Sequence, residues 1–214
     1  MRSKIEIRRE ISAILRLPPD VRSEKSARLC EAIAASPEWQ AAQTIAIFAP
    51  QPREPDVEML WSHASGKNFA YPRVEEGRLD LFRVDSLHAL VPGAFGVREP
   101  AADPARTVAP EALDLILVPG VAFTADGARL GRGGGFYDRL LAWLAPRTCK
   151  IGVCFDSQLL PELPIEPHDE HVHFIATESG LLNAERLLTN EPSAPSSQTA
   201  ESAPAPARLP PSFQ

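Results

Sequence analysis

The sequence predicts an α/β protein: a three-layer α/β/α sandwich with a mostly parallel central sheet, Rossmann-like in arrangement. Apolar runs of strand character alternate along the chain with segments of helical periodicity. Two of these runs, residues 44–50 and 113–120, end at turn-forming residues, as buried strands commonly do. Of the 214 residues, 44% are hydrophobic, which is enough for one sizeable core.

The chain is predicted to begin with two helices. Isoleucines recur at helical spacing between residues 4 and 17, and Pro18 ends that pattern. A second helix follows, with Asp20 as the expected N-cap residue and Leu29 and Ile33 on its buried face.

The rest of the folded unit alternates between strands and helices. Strands are expected over residues 44–50, 68–74, 78–84, 113–120, 150–155 and 173–180, and further helices over residues 55–66 and 135–145. The segment 78–84 alternates in character, which suits an antiparallel or edge strand. Residues 93–110 are interrupted by proline and glycine and are expected to form loops.

Composition sets the domain limits and excludes several classes of partner. Residues 1–189 are expected to form one domain, and residues 190–214, rich in Pro, Ser and Ala, a disordered tail. A net charge of −6 argues against nonspecific nucleic-acid binding. Three cysteines without C-x-x-C spacing fit a reduced cytoplasmic protein. Neither a run of 18 apolar residues nor a secretory signal is found, so no membrane partner is expected.

The most informative stretch is "RLGRGGGFYD", residues 129–138, which follows the strongest predicted strand. Ligands of parallel sheets bind beyond the carboxyl ends of the strands, so a ligand is expected here. Glycines let the backbone approach an anion closely, and a following helix directs free N–H groups at it. Arg129 and Arg132 add planar donors suited to phosphate or carboxylate.

Three side chains at the start of the predicted helix extend this interpretation. Asp138 beside a phosphate makes sense if Mg²⁺ bridges the two, and Phe136 and Tyr137 can border a planar ring. A simple turn, with Asp138 favouring the helix N-terminus, is one alternative. Another is an RGG-type RNA-binding segment, although such segments occur in repeats. The stretch lacks the ending of a P-loop and the spacing of a dinucleotide-binding fingerprint.

Taken whole, residues 113–141 resemble the signature of the 5-formyltetrahydrofolate cyclo-ligase family, also called methenyltetrahydrofolate synthetase. The signature is a hydrophobic strand, P-G, a Phe, an R-L-G-x-G-x-G-Y/F-Y-D block and a helix. The matching residues are Pro119, Gly120, Phe123, Arg129, Leu130, Gly131, Gly133, Gly135, Tyr137 and Asp138, with Asp126 and Gly127 in the preceding turn. Many members carry Lys where this chain has Gly134, which removes one phosphate contact.

The resemblance extends over the folded unit. Lys4 and Arg8 match a Lys and an Arg four positions apart on the family's first helix, and Glu54 matches an acidic residue that contacts the folate. Further matches are Pro72, Arg73, "GVREP" at residues 96–100, Phe155, Gln158, Pro164, His168 and Asp169.

The resemblance implies a ligase forming C–N bonds, which converts 5-formyltetrahydrofolate and ATP to 5,10-methenyltetrahydrofolate, ADP and phosphate with Mg²⁺. It implies catalytic roles for Arg132, Tyr137 and Glu54, and magnesium binding by Asp138 and Asp169. The implied ATP-binding residues are Lys4, Arg8, Arg129, Leu130, Gly131, Arg132, Gly133, Gly134, Gly135, Phe136 and Tyr137. The implied folate-binding residues are Glu54, Arg132, Gly133, Gly134, Gly135 and Phe136. His168 is expected to orient its neighbours.

The expected partners are therefore the two small-molecule substrates, for a monomer in the cytoplasm that binds neither nucleic acid nor membrane. Three other classes stay open. The first is a diverged family member that acts on another formylated or ATP-activated compound. The second is a nucleotide- or folate-binding regulator without catalysis, and the third is an RNA-binding protein.

Overall fold

The computed structural model describes residues 2–166 and 169–184. Its α-helices are α1 (Lys4–Ile14), α2 (Pro19–Ala34), α3 (Pro37–Ala41) and α4 (Phe136–Leu141). Its strands are β1 (Thr44–Ala46), β2 (Asn68–Glu75), β3 (Arg78–Val84), β4 (Val91–Pro92), β5 (Arg98–Glu99), β6 (Thr107–Val108), β7 (Leu115–Pro119), β8 (Ala122–Thr124), β9 (Arg129–Leu130), β10 (Cys149–Val153), β11 (Leu159–Leu160), β12 (Phe174–Thr177) and β13 (Gly180–Asn183). The predictions for His168 and for the tail 190–214 lie outside the described residues.

Eight strands form the central sheet, in the order β13-β12-β10-β7-β1-β2-β3-β6. The five strands from β12 to β2 are parallel, whereas β13, β3 and β6 pair antiparallel at the two ends. Counted along the chain, the parallel strands lie in the order 2-1-3-4-5, a doubly wound arrangement of the flavodoxin-like kind. The mostly parallel, Rossmann-like sheet predicted from the sequence is confirmed.

Both faces of this sheet are covered by helices. Successive side chains of a strand point to opposite faces, so β7 contributes to two cores. Leu115 and Leu117 pack in the cluster that contains α2, and Ile116 and Val118 pack in the cluster that contains α4. All four side chains are almost fully buried, which explains why β7 reads as a continuous apolar run. The three layers are therefore helix, sheet and helix.

A third apolar cluster fixes α1 beside the glycine-rich stretch. Ile7 and Ile11 of α1 pack against Leu130 and Phe155. The helix begins with a capping box, in which the Ser3 side chain accepts from the backbone N–H of Glu6 and the Glu6 carboxylate accepts from the backbone N–H of Ser3. Packing and capping together hold the polar face of α1 next to β9.

Several local predictions differ from the structure at element ends. Asp20 is not the N-cap of α2: Pro18 takes that position and Asp20 lies in the first turn, because Pro19 suits the first helical residue. The helix predicted over residues 55–66 is present as a shorter 3₁₀-helix, Val57–His63. Among the described residues, we find no helix with the length and hydrophobicity of a membrane span.

Short strands account for the other differences. Strand β3 is antiparallel, as predicted, but it is not at the edge because β6 pairs with it. The predicted strand 173–180 contains β12, a turn and the first residue of β13, which pairs antiparallel with β12. The segment 93–110, expected to be loops, contains β5 and β6, and β5 forms a hairpin with β4.

Candidate active site

A cavity of about 460 Å³ lies at the carboxyl end of the sheet. Its lining includes Phe48 and Ala49, which follow β1, and Pro119 and Gly120, at the end of β7. Strand order reverses between β1 and β7, so the cavity lies at the topological switch point. Ligands of doubly wound sheets bind at this point.

Residues 131–135 are called the glycine loop. Together with α4, all of them except Gly133 line one wall of the cavity. Gly133 and Gly135 have φ values of 107° and 64°, a region that side chains rarely adopt. The backbone N–H groups of Gly133, Gly134 and Gly135 have no acceptor within the described part of the chain. Free N–H groups at an accessible concave surface favour an anion. Because α4 has only 6 residues, the loop itself supplies most of this preference.

Arg129 lies beneath the glycine loop, and its side chain is only 3% exposed. Its Nη2 pairs with Oδ1 of Asp138, and its Nη1 donates to the carbonyl oxygen of Pro119 at 3.4 Å. The guanidinium carbon lies 5.9 Å from the centroid of the Tyr137 ring. Arg129 therefore connects the end of β7 to the first turn of α4.

Arg132 and Glu54, two predicted catalytic residues, meet at the opening of the cavity. The Arg132 side chain is 53% exposed, and its Nε and Nη2 donate to Glu54 Oε1 at 3.2 and 2.7 Å. Glu54 is buried, and its Oε2 accepts from the backbone N–H of Gln51 at 2.9 Å. The buried carboxylate therefore holds an exposed cation at the edge of the glycine loop.

Aromatic side chains form an apolar wall beside these charges. Burial raises the pKa of Tyr137, and the nearby Glu54 carboxylate raises it further, so the phenol stays protonated and can donate a hydrogen bond. The ring centroids of Phe136 and Phe95 lie 5.9 Å apart. A Cβ atom at Gly134 would lie 2.8 Å from the Phe136 ring, so this ring position depends on the glycine.

The two predicted cations of α1 lie on consecutive turns behind the loop. Arg8 Nε donates to the carbonyl oxygen of Gly131 at 2.9 Å. Lys4 Nζ lies 3.1 Å from Asp169 Oδ2 and 3.4 Å from Glu166 Oε1. The structure therefore brings Arg8 to the glycine loop, whereas Lys4 and Asp169 meet each other outside the set of residues that line the cavity.

The predicted magnesium ligands are both paired with cations in the structure: Asp138 with Arg129, and Asp169 with Lys4. The described residues contain no group of three or more His, Cys, Asp or Glu side chains that could hold a metal alone. Mg²⁺ commonly uses one or two carboxylates and takes its other ligands from phosphates and water. Asp138 lines the cavity and therefore fits Mg²⁺ that arrives with a nucleotide, whereas Asp169 lies outside the lining.

Other predicted residues line the cavity only in part, and some lining residues were not predicted. The Leu130 side chain is buried in the core cluster of α1, so only its backbone faces the loop. The hairpin β4–β5 adds Phe95, Arg98 and Glu99 to the lining. Its "GVREP" sequence matched the family, but two-residue strands in a Pro- and Gly-rich segment give no periodic signal.

Comparison with known proteins agrees with this geometry. Residues 1–178 match the sequence pattern of the 5-formyltetrahydrofolate cyclo-ligase family. A 5-formyltetrahydrofolate cyclo-ligase of Escherichia coli (strain K12) is 31% identical over 171 residues, which cover 76% of this chain and 93% of that protein. One from Mycolicibacterium smegmatis is 49% identical over 90 residues, 41% of this chain and 45% of that protein.

A solved structure shows the same likeness. The NMR structure of Aquifex aeolicus 5,10-methenyltetrahydrofolate synthetase matches with a TM-score of 0.76 and 30% identity, covering 93% of this chain and 96% of that one. These matches confirm the enzyme class that the glycine-rich motif predicts. The chain therefore belongs to the 5-formyltetrahydrofolate cyclo-ligase family.

Proposed function

We propose that this protein converts 5-formyltetrahydrofolate and ATP to 5,10-methenyltetrahydrofolate, ADP and phosphate, with Mg²⁺ accompanying the nucleotide. One observation carries the proposal: the switch-point cavity joins a loop of free N–H groups and an exposed arginine to an aromatic wall. The first two suit phosphate, and the third suits a planar ring. Family membership supports the folate chemistry.

The reaction needs activation because a formamide carbon is a poor electrophile. Transfer of the γ-phosphoryl group of ATP to the formyl oxygen breaks the bond to ADP and turns that oxygen into a leaving group. The second folate nitrogen then attacks the formyl carbon and loses its proton, and phosphate departs with the oxygen. The protein contributes mainly by positioning the substrates and neutralising charge.

In this proposal the glycine loop and the arginines hold the triphosphate. The N–H groups of Gly133 to Gly135 donate to phosphate oxygens, and Arg132 leaves Glu54 in part to contact the transferring group. Arg8 and Lys4 supply further positive charge from α1, and Arg129 supports the loop from beneath. Leu130 and Gly131 shape the entry to the loop.

The folate lies against the aromatic wall in this proposal. Glu54 accepts N–H donors of the pterin, and the protonated phenol of Tyr137 donates to the formyl oxygen. Phe136 borders the ring. Asp138 and Asp169 would hold Mg²⁺, which when bound screens the charge of the phosphates. Both carboxylates would then exchange a side-chain cation for the metal ion.

The test is absorbance at the methenyl-folate band after mixing protein, 5-formyltetrahydrofolate, ATP and Mg²⁺. We expect the band to rise only in the complete mixture and not when ATP or Mg²⁺ is omitted. A flat signal would overturn the proposal. In that case, ADP release with another formylated compound would indicate a diverged enzyme, and binding without turnover would indicate a regulator. The cytoplasmic location, the monomeric state and the absence of a nucleic-acid partner stay predictions.

A further inference from the structure

Glu99 is a buried carboxylate in the same cavity, and neither the motif nor the proposed mechanism gives it a role. It lies on β5 of the hairpin β4–β5, is 4% exposed, and lines the cavity with Val97 and Arg98. A carboxylate in such a position is costly unless it is paired and hydrogen-bonded. Its partners therefore decide whether its role is structural.

The contacts that Glu99 makes within the described chain are long. Its Oε1 accepts from the backbone N–H of Val74 at 3.4 Å, and its Oε2 lies 3.6 Å from Arg73 Nη1. N–H···O hydrogen bonds are usually about 2.7–3.2 Å between heavy atoms. Arg73 makes closer contacts to the Glu75 carboxylate and, at 3.0 Å, to the carbonyl oxygen of Pro100. Glu99 thus keeps open acceptor positions.

Glu54, the other buried glutamate of the cavity, differs in this respect. Arg132 donates twice to its Oε1, and Gln51 donates to its Oε2 at 2.9 Å. A carboxylate has about four lone-pair positions, of which Glu54 already uses three at ordinary distances. Of the two buried glutamates of the cavity, Glu99 therefore has more capacity for a ligand.

The hairpin is built to seat this side chain. A Cβ atom at Gly93 would lie 2.4 Å from Glu99 Cδ and from Oε2. The backbone of Gly93 is extended, so the glycine is required for space rather than for its φ angle. The Glu99 carboxylate consequently sits directly against the main chain of its own hairpin while it faces the cavity.

We propose that Glu99 accepts a hydrogen bond from a ring N–H group of the reduced pterin and so helps to select the folate substrate. This inference rests on the proposed function. A reduced pterin carries N–H donors on more than one edge, so two buried carboxylates, Glu54 and Glu99, can bind different edges of one ring. A buried acceptor left without its donor would discriminate against ligands that lack the N–H group.

Glu99→Gln tests this role, because it keeps the size of the side chain and removes the charge. We expect the KM for 5-formyltetrahydrofolate to rise by about 10-fold, because a neutral amide oxygen is a weaker acceptor than a carboxylate. The KM for ATP should change by less than about twofold. Glu75→Gln is the matched control: Glu75 also pairs with Arg73 but does not line the cavity, so its KM values should not change.

Two results would overturn the assignment. One is an unchanged folate KM in Glu99→Gln. The other is an equal rise of the folate KM in Glu99→Gln and Glu75→Gln, which would assign the effect to the position of Arg73.

A second variant and a second measurement keep the test decisive. Should Glu99→Gln fail to fold, Glu99→Asp, which withdraws the charge by one methylene, takes its place with the same expected rise of the folate KM. Should the wild type form no methenyl product, the proposed function fails. Calorimetric binding of 5-formyltetrahydrofolate to wild type and variant then decides on Glu99.

Discussion

Two arginines close together in the sequence support the candidate site in different ways. The base of the site is Arg129 with Tyr137 and Asp138, and the rim is Arg132 with Glu54. The Arg129 side chain is 3% exposed and the Arg132 side chain is 53% exposed. A buried guanidinium is committed to its partner, whereas an exposed one can move to a ligand at small cost. The base therefore holds the glycine loop in shape, and the rim is available for the reaction.

The largest expected effect is a loss of catalytic rate when the arginine of the rim is replaced. Arg132→Ala should lower kcat by about 10²–10³-fold, because one donor to the developing phosphoryl charge is lost. The melting temperature should also fall, because the buried Glu54 carboxylate loses its cation, so kcat is measured well below the melting temperature of the variant. The measurement is methenyl-folate absorbance over time. Arg28→Ala, at an equally exposed arginine on α2, is the control and should keep full activity. Wild-type turnover in Arg132→Ala would remove the rim from the mechanism.

A substitution in the base should mainly lower the stability of the protein. Arg129→Met leaves Asp138 without its cation, which should lower the free energy of unfolding by about 2 kcal/mol, less than for a fully buried pair because Asp138 is 24% exposed. Urea denaturation measures the change. The double variant Arg129→Met with Asp138→Asn should recover part of the loss. An unchanged unfolding midpoint would show that the base is not a structural support.

The glycine loop, which the base supports, can be tested through the strain of its backbone. Gly135→Ala forces a side chain into a left-handed backbone with φ 64°, at a cost of about 1–2 kcal/mol. Gly66→Ala is the matched control, since Gly66 has φ 75° and open space around it. We expect similar losses of stability in both variants, but a raised KM for ATP only in Gly135→Ala. Equal KM values would contradict phosphate binding by the glycine loop.

The smallest effect concerns Glu58, whose partner Arg98 lines the cavity from the hairpin. Burial raises the pKa of Glu58 above its ordinary 4.5, although Arg98 opposes the shift. The unfolded chain therefore releases this proton first as pH rises, so the group lowers stability between 4.5 and its folded pKa. Wild type should lose stability relative to Glu58→Gln over that range in urea titrations. A difference independent of pH would show that Glu58 ionises as it does in the unfolded chain.

Much of the fold could be predicted because the main signals are local. The apolar run of β7 and the isoleucine spacing of α1 each specify an element without reference to the rest of the chain. The pairing of β13 with β12 and of β4 with β5 could not be predicted in this way. These short strands exist only through partners that the fold brings to them.

The same limit applies to the site. The glycine motif indicates the loop, but it gives Arg129 and Arg132 equal weight, because burial is a property of the folded chain. Glu54 was found through its match to the family. Glu99 was missed as a binding residue because only the hairpin packing brings it into the cavity.

The most direct test of the central claim is a crystal structure with a non-hydrolysable ATP analogue and Mg²⁺. The account predicts phosphate oxygens within hydrogen-bond distance of the N–H groups of Gly133 to Gly135, with Arg132 turned toward the terminal phosphate. A nucleotide bound elsewhere, with the glycine loop empty, would contradict it.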